Sequence, residues 1–121
     1  MSWDFNNQTP IYLQLIRQIK VMIVNGTYQS EDKLPAVRDL AQEAGVNPNT
    51  VQRAFAELER DGLVQSDRTN GRFVTKDKKL INKLKKELSD QYINELFENL
   101  KQLGMDNAQI KKTISKWEDD K

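Results

Sequence analysis

The chain has 121 residues, and its nineteen Lys and Arg nearly balance eighteen Asp and Glu, so net charge by itself does not announce a nucleic-acid partner. It contains no cysteine and no histidine, which excludes thiol catalysis, disulfides, Cys/His zinc sites and imidazole acid–base chemistry. No apolar run reaches the roughly 20 residues of a membrane span and the first residues lack the basic-then-apolar pattern of a signal peptide, so the expectation is a cytoplasmic protein without room for a large effector domain.

Thr9 and Pro10 predict a helix start, Thr as a capping acceptor and Pro as a first residue that forfeits no hydrogen bond. Ile11, Leu15, Ile19, Met22 and Ile23 then recur at helical spacing until Gly26. Leu34 and Pro35 lead into a second helix that ends near Ala44 and turns Val37, Leu40 and Ala41 inward; its start is weakly signalled, with Ala36 where a capping side chain would help. Gly45 breaks that helix, and Asn47 with Pro48 restarts one at once. This third helix is expected to reach Asp61 with Val51, Ala54, Phe55 and Leu58 on one face, and Gly62 ends it. Leu63 and Val64, then Phe73 and Val74, predict two short strands around a polar loop from Gln65 to Arg72, in which Asn70-Gly71 is a hairpin-turn dipeptide. From Leu80 the helical period returns as far as Leu103 and Gly104, and Asp106 with Gln109 forms a capping box for a last helix bearing Ile110, Ile114 and Trp117 on one stripe.

Two helices joined by a tight turn need small residues where they cross. Ala41 for the close contact, Gly45 for the corner, Val46 beneath it and Val51 to anchor the second helix have helix-turn-helix spacing. The competing reading, an ordinary helical corner, loses ground once a hairpin with basic residues follows. On a wheel of 3.6 residues per turn, Asn49, Gln52, Arg53 and Arg60 point away from the Val51, Phe55 and Leu58 face, with Thr50 at the entry. Asn and Gln suit adenine and Arg suits guanine in the major groove. The stretch 62–79 adds Arg68, Arg72, Lys76, Lys78 and Lys79 against Asp67 and Asp77, a local positive excess suited to phosphate.

Four segments together, Lys33-Leu34-Pro35-Ala36-Val37-Arg38-Asp39-Leu40-Ala41, Gly45-Val46-Asn47-Pro48-Asn49-Thr50-Val51, Arg53-Ala54-Phe55 and Leu58-Glu59-Arg60-Asp61-Gly62-Leu63-Val64, resemble the GntR family of bacterial regulators, and Asn-Pro-Asn-Thr-Val resembles its short YtrA-like branch. The resemblance covers about residues 10 to 76. It implies a DNA-contacting role for Arg38 in the second helix, for Asn47, Asn49, Thr50, Gln52 and Arg53 at the start of the third, and for Asn70, Gly71 and Arg72 at the wing tip. An ion pair with Asp39 or Glu43 is the alternative for Arg38, whereas a turn-tip Arg72 has little else to do. Pro48 and Gln52 stand where many members carry Arg, and Thr69-Asn70-Gly71-Arg72-Phe73-Val74 replaces the commoner Gly-x-Gly-Thr-Phe-Val, so base preference does not transfer.

The expected architecture is mainly α: a winged helix-turn-helix with a two-stranded wing over residues 1–79, then a two-helix dimerisation tail over 80–121. Leu84, Leu88, Ile93, Leu96, Phe97, Leu100, Ile110, Ile114 and Trp117 carry more apolar surface than two isolated helices hide, so pairing of two chains is expected, with folding back onto the same chain as the alternative. The resemblance implies the same, with regulator genes often beside transporter operons and repression as the usual output. The leading reading is a homodimeric repressor on a palindromic operator, with no cofactor, no metal and no membrane partner. A winged-helix protein-interaction module would favour an apolar outer face on the third helix, and an acid–base enzyme would have only Glu57 and Asp61 to use.

Overall fold

Along residues 3–120, which the computed structural model describes, the order is α1 (Ile11–Val24), α2 (Val37–Ala44), α3 (Pro48–Arg60), β1 (Val64–Asp67), β2 (Gly71–Val74), α4 (Lys78–Gln102) and α5 (Asn107–Asp119). They fall into two compact units, one up to Lys85 and one from Lys86 onward. None of the described helices is long and apolar enough to cross a membrane.

In the first unit, α1 buries Leu15, Ile16, Ile19, Met22 and Ile23, residues three and four apart that make one apolar stripe, against α3. Its start differs from the expectation built on Thr9. No side chain caps α1; Pro10 is the N-cap, and the Gln14 amide instead donates to the Thr9 and Asn6 carbonyls, tying the preceding turn to the helix. α2 begins at an uncapped Ala36 and ends on Gly45, whose φ of 71° lies in the left-handed region that a side chain disfavours. The Val46 N–H returns to the Ala41 carbonyl at 3.0 Å, closing the corner, and Ala41 and Val51 are buried where α2 packs on α3. Asn47 caps α3 by accepting from the Asn49 N–H, with Pro48 as first residue.

The hairpin is longer than the two apolar pairs suggest. Gln65, Ser66 and Asp67 continue β1, Gly71 and Arg72 open β2, and the antiparallel register runs from Val64 opposite Val74 to Asp67 opposite Gly71. The connection is therefore a three-residue turn, Arg68 to Asn70, and not a two-residue Asn-Gly turn. Polar residues enter the strands because one face of the wing is open to solvent; of the strand residues only Val64 and Val74 are buried, while Phe73 is half-buried. The segment before α2 runs along the other edge of β2: Leu34 donates to the Arg72 carbonyl, Val74 donates to the Asp32 carbonyl, and Lys33 bridges Phe73. A third strand-like edge thus braces the wing. Asp77 caps α4 by accepting from the Lys79 and Leu80 N–H groups, so this helix opens two residues before Leu80 and then runs unbroken to Gln102.

The second unit is a helical hairpin made of the remainder of α4 and α5. Asp106 and Gln109 form the expected capping box, and the Met105 N–H returns to the Leu100 carbonyl in the connecting turn. Ile110 is fully buried and Leu88 nearly so, as is Leu84 in the first unit. These three are consequently not surface for a partner, contrary to the expectation for the tail; their apolar area is covered by the chain itself. Ile93, Leu96, Ile114 and Trp117 are exposed, Phe97 and Leu100 are half-buried, and Leu96, Leu100, Thr113, Ile114 and Trp117 line an apolar groove of about 400 Å³.

Candidate nucleic-acid interface

Burial of Val51, Ala54, Phe55 and Leu58 fixes which side of α3 faces water. Asn49, Gln52 and Arg53 are exposed and Thr50 is half-exposed, a polar, hydrogen-bonding strip over the first two turns. Asn47 is exposed too, but its Oδ1 is committed to the Asn49 N–H at 2.8 Å, which leaves only its amide N–H groups for an outside acceptor. The Arg53 guanidinium is stacked on the Tyr12 ring of α1, 3.6 Å from its centroid. Arg60, further along, is paired with Glu57 at 2.8 Å, and Asp61 faces Lys20 at 3.7 Å. Both carboxylates considered for acid–base chemistry are thereby ion-paired. Arg38, in the first turn of α2, is exposed, and among the described residues no ion pair engages it.

At the wing, Asp67 accepts from the Thr69 N–H and from the Asn70 amide, and the Thr69 bond leads in holding its carboxyl below the usual carboxylate range. Arg68 and Asn70 lie exposed on the turn. Arg72 is not a free turn-tip residue. It lies within β2, donates from Nε to Glu59 at 2.7 Å and stands 5.1 Å over the Phe55 ring. Glu59 also accepts from the Ser66 hydroxyl, so one carboxylate at the end of α3 grips both strands of the wing. The Ser66 bond leads, with Arg72 adding to it, in depressing the Glu59 pKa against the opposing effect of burial.

Three side chains to which the sequence analysis gives no role take part here: Tyr12, Glu59 and Lys33. The Lys33 chain lies over Gly71, whose φ is 105°; a Cβ there would meet the Lys33 Cε at 3.1 Å. That packing holds the Lys33 ammonium beside the wing. A Tyr one turn ahead of Leu15 was the one available hint for Tyr12, and the basic residue before Leu34-Pro35 the hint for Lys33; nothing local marks Glu59.

Known proteins are similar to this chain in sequence and fold. The model of the gntR family of bacterial regulatory proteins matches residues 11–74, from α1 to the end of the wing. The transcriptional repressor YtrA of Bacillus subtilis is 38% identical over 103 residues, covering 85% of this chain and 75% of that protein. A GntR family transcriptional regulator from Listeria monocytogenes superimposes with a TM-score of 0.84 at 37% identity, over 93% of this chain and 98% of its own. AraR(DBD), solved in complex with operator ORX1, superimposes with a TM-score of 0.57 at 27% identity, over 62% of this chain and 99% of that one. With helix-turn-helix, wing and sequence in agreement, this chain belongs to the gntR family of bacterial regulatory proteins, as a YtrA-like, DNA-binding transcriptional regulator.

Proposed function

We propose that the chain is a repressor that acts as a homodimer on a palindromic operator, each copy inserting the first turns of α3 into the major groove. The observation that carries this reading is the exposed Asn49, Thr50, Gln52 and Arg53 strip, held outward by a fully buried opposite face and flanked by a braced wing. In it Asn49 and Gln52 are matched to adenine and Arg53 to guanine. Arg38, Arg68 and Lys33 serve the phosphate backbone, Asn47 and Asn70 offer amide donors, and Gly71 lets the wing backbone come close. Arg72 acts through its grip on Glu59 and only indirectly on DNA. The relatives' names support repression, and the AraR domain solved with its operator supports DNA as the partner of this fold.

Pairing is assigned to the second unit. Ile93, Leu96, Leu103, Ile114 and Trp117 are exposed on a hairpin of two helices, and a second copy is the partner that a two-fold operator rewards. A regulator that acts on bacterial chromosomal DNA is expected in the cytoplasm, and the YtrA-like resemblance directs the operator search to DNA flanking transporter genes.

A titration by fluorescence anisotropy against genomic fragments tests the proposal. One fragment containing an inverted repeat should bind with Kd about 10⁻⁸ to 10⁻¹¹ M, and affinity should fall steeply as salt rises because phosphate contacts release counterions. A protein that prefers no fragment over random duplex would refute it.

A further inference from the structure

Arg53 is not presented as a free side chain. Its guanidinium carbon is 3.6 Å from the centroid of the Tyr12 ring, well inside the range of a cation on an aromatic face. Tyr12 is half-buried on α1, one turn before the buried Leu15 and Ile16, and α1 packs directly on α3. The ring therefore belongs to the scaffold and not to a loop. Arg60 and Arg72 are each held by a carboxylate, whereas among the described residues no ion pair engages Arg53. Stacking occupies one face of the guanidinium and leaves the rim of N–H donors, which is the edge that bonds guanine O6 and N7 together. A long side chain fixed before binding also loses less rotamer freedom on binding than one that must be ordered at the interface.

We propose that Tyr12 is a positioning residue for base recognition: its ring holds the Arg53 guanidinium in the plane in which it reads one operator base pair. Specificity at that base pair then depends on a side chain of α1 that need not touch DNA. This rests on the base-reading role assigned to Arg53 above.

The full-length protein, Tyr12→Phe, Tyr12→Leu, Arg53→Ala and the double variant Tyr12→Leu/Arg53→Ala are titrated against the operator, its single base-pair variants and random duplex. Tyr12→Phe should behave as wild type. Tyr12→Leu should lose about tenfold on the operator, keep its affinity for random duplex and flatten discrimination at the same base pair as Arg53→Ala. In the Arg53→Ala background, Tyr12→Leu should cost nothing more. Equal losses on operator and random duplex, or discrimination that survives Tyr12→Leu while Arg53→Ala abolishes it, overturn the positioning role alone. Arg53→Ala that flattens no position overturns the base-reading role and this proposal with it. A readout that needs no variant to fold is the ring-current shift of the Arg53 Nε proton in the NMR spectrum. It should persist when wild type binds the operator; its loss on binding means that Arg53 leaves the ring, and the proposal fails.

Discussion

Glu59 accepts hydrogen bonds from a residue on each wing strand, so its charge joins the recognition helix to the wing. Its pKa in the folded chain is depressed, foremost by the Ser66 bond. A carboxylate of this kind stabilises the fold at pH above its unfolded pKa, and that contribution disappears as pH falls through the folded value. Glu59→Gln should be less stable than wild type by about 1 kcal/mol at neutral pH, and urea melts in increasingly acid buffer should show the gap closing. Gly71 makes a second case. Gly71→Ala should cost roughly 1 to 3 kcal/mol, because φ of 105° strains any side chain and the new Cβ presses on Lys33. Adding Lys33→Ala should restore only part of that loss in thermal melts, since it removes the contact and leaves the backbone strain.

The start of α3 combines stability and recognition in one residue. Asn47→Ala should destabilise the protein by about 1 kcal/mol through loss of the cap. Asn47→Asp keeps a capping oxygen but places a negative charge where phosphate approaches, so its melting should match wild type while operator affinity falls in an anisotropy titration. The helix itself was legible in the sequence: Asn47-Pro48, the 51, 54, 55, 58 spacing and Gly62 mark its start, its buried face and its end. The polar strip followed from the same wheel. Features joining residues distant in sequence were not legible. Strand length in the wing depends on edge pairing with residues 31–34, which no local pattern encodes, and Thr9 lost its capping role to a backbone arrangement held by Gln14. Arg72 read as a turn-tip DNA contact because its partner, Glu59, lies on another element. The apolar period of α4 likewise marked Leu84 and Leu88 without saying whether the same chain or another covers them.

For the whole molecule, the consequence of exposed Leu96 and Trp117 is that assembly and folding should be separable. Leu96→Lys with Trp117→Lys places charges on a surface that pairing would bury unsatisfied, and changes no residue of the first unit. Sedimentation should show a folded monomer in place of a dimer. Operator affinity should drop on the order of 10²-fold, because the second recognition helix no longer binds at high effective concentration. A chain ending at Lys85 should keep the wing and the buried Phe55 and Leu58 core, with the same melting cooperativity and the same weak half-site binding. A double variant that still sediments as a dimer would assign the pairing surface elsewhere.

The chain has two tryptophans, and each compact unit contains one: Trp3, with its indole nitrogen buried, and Trp117, which is 60% exposed in the apolar groove. Intrinsic fluorescence can therefore be divided between the two units without attaching a dye. With Trp3→Phe, emission comes from Trp117 alone and should move to shorter wavelength with rising protein concentration as a second copy covers it. With Trp117→Phe, emission should ignore concentration and change only when the reading unit unfolds.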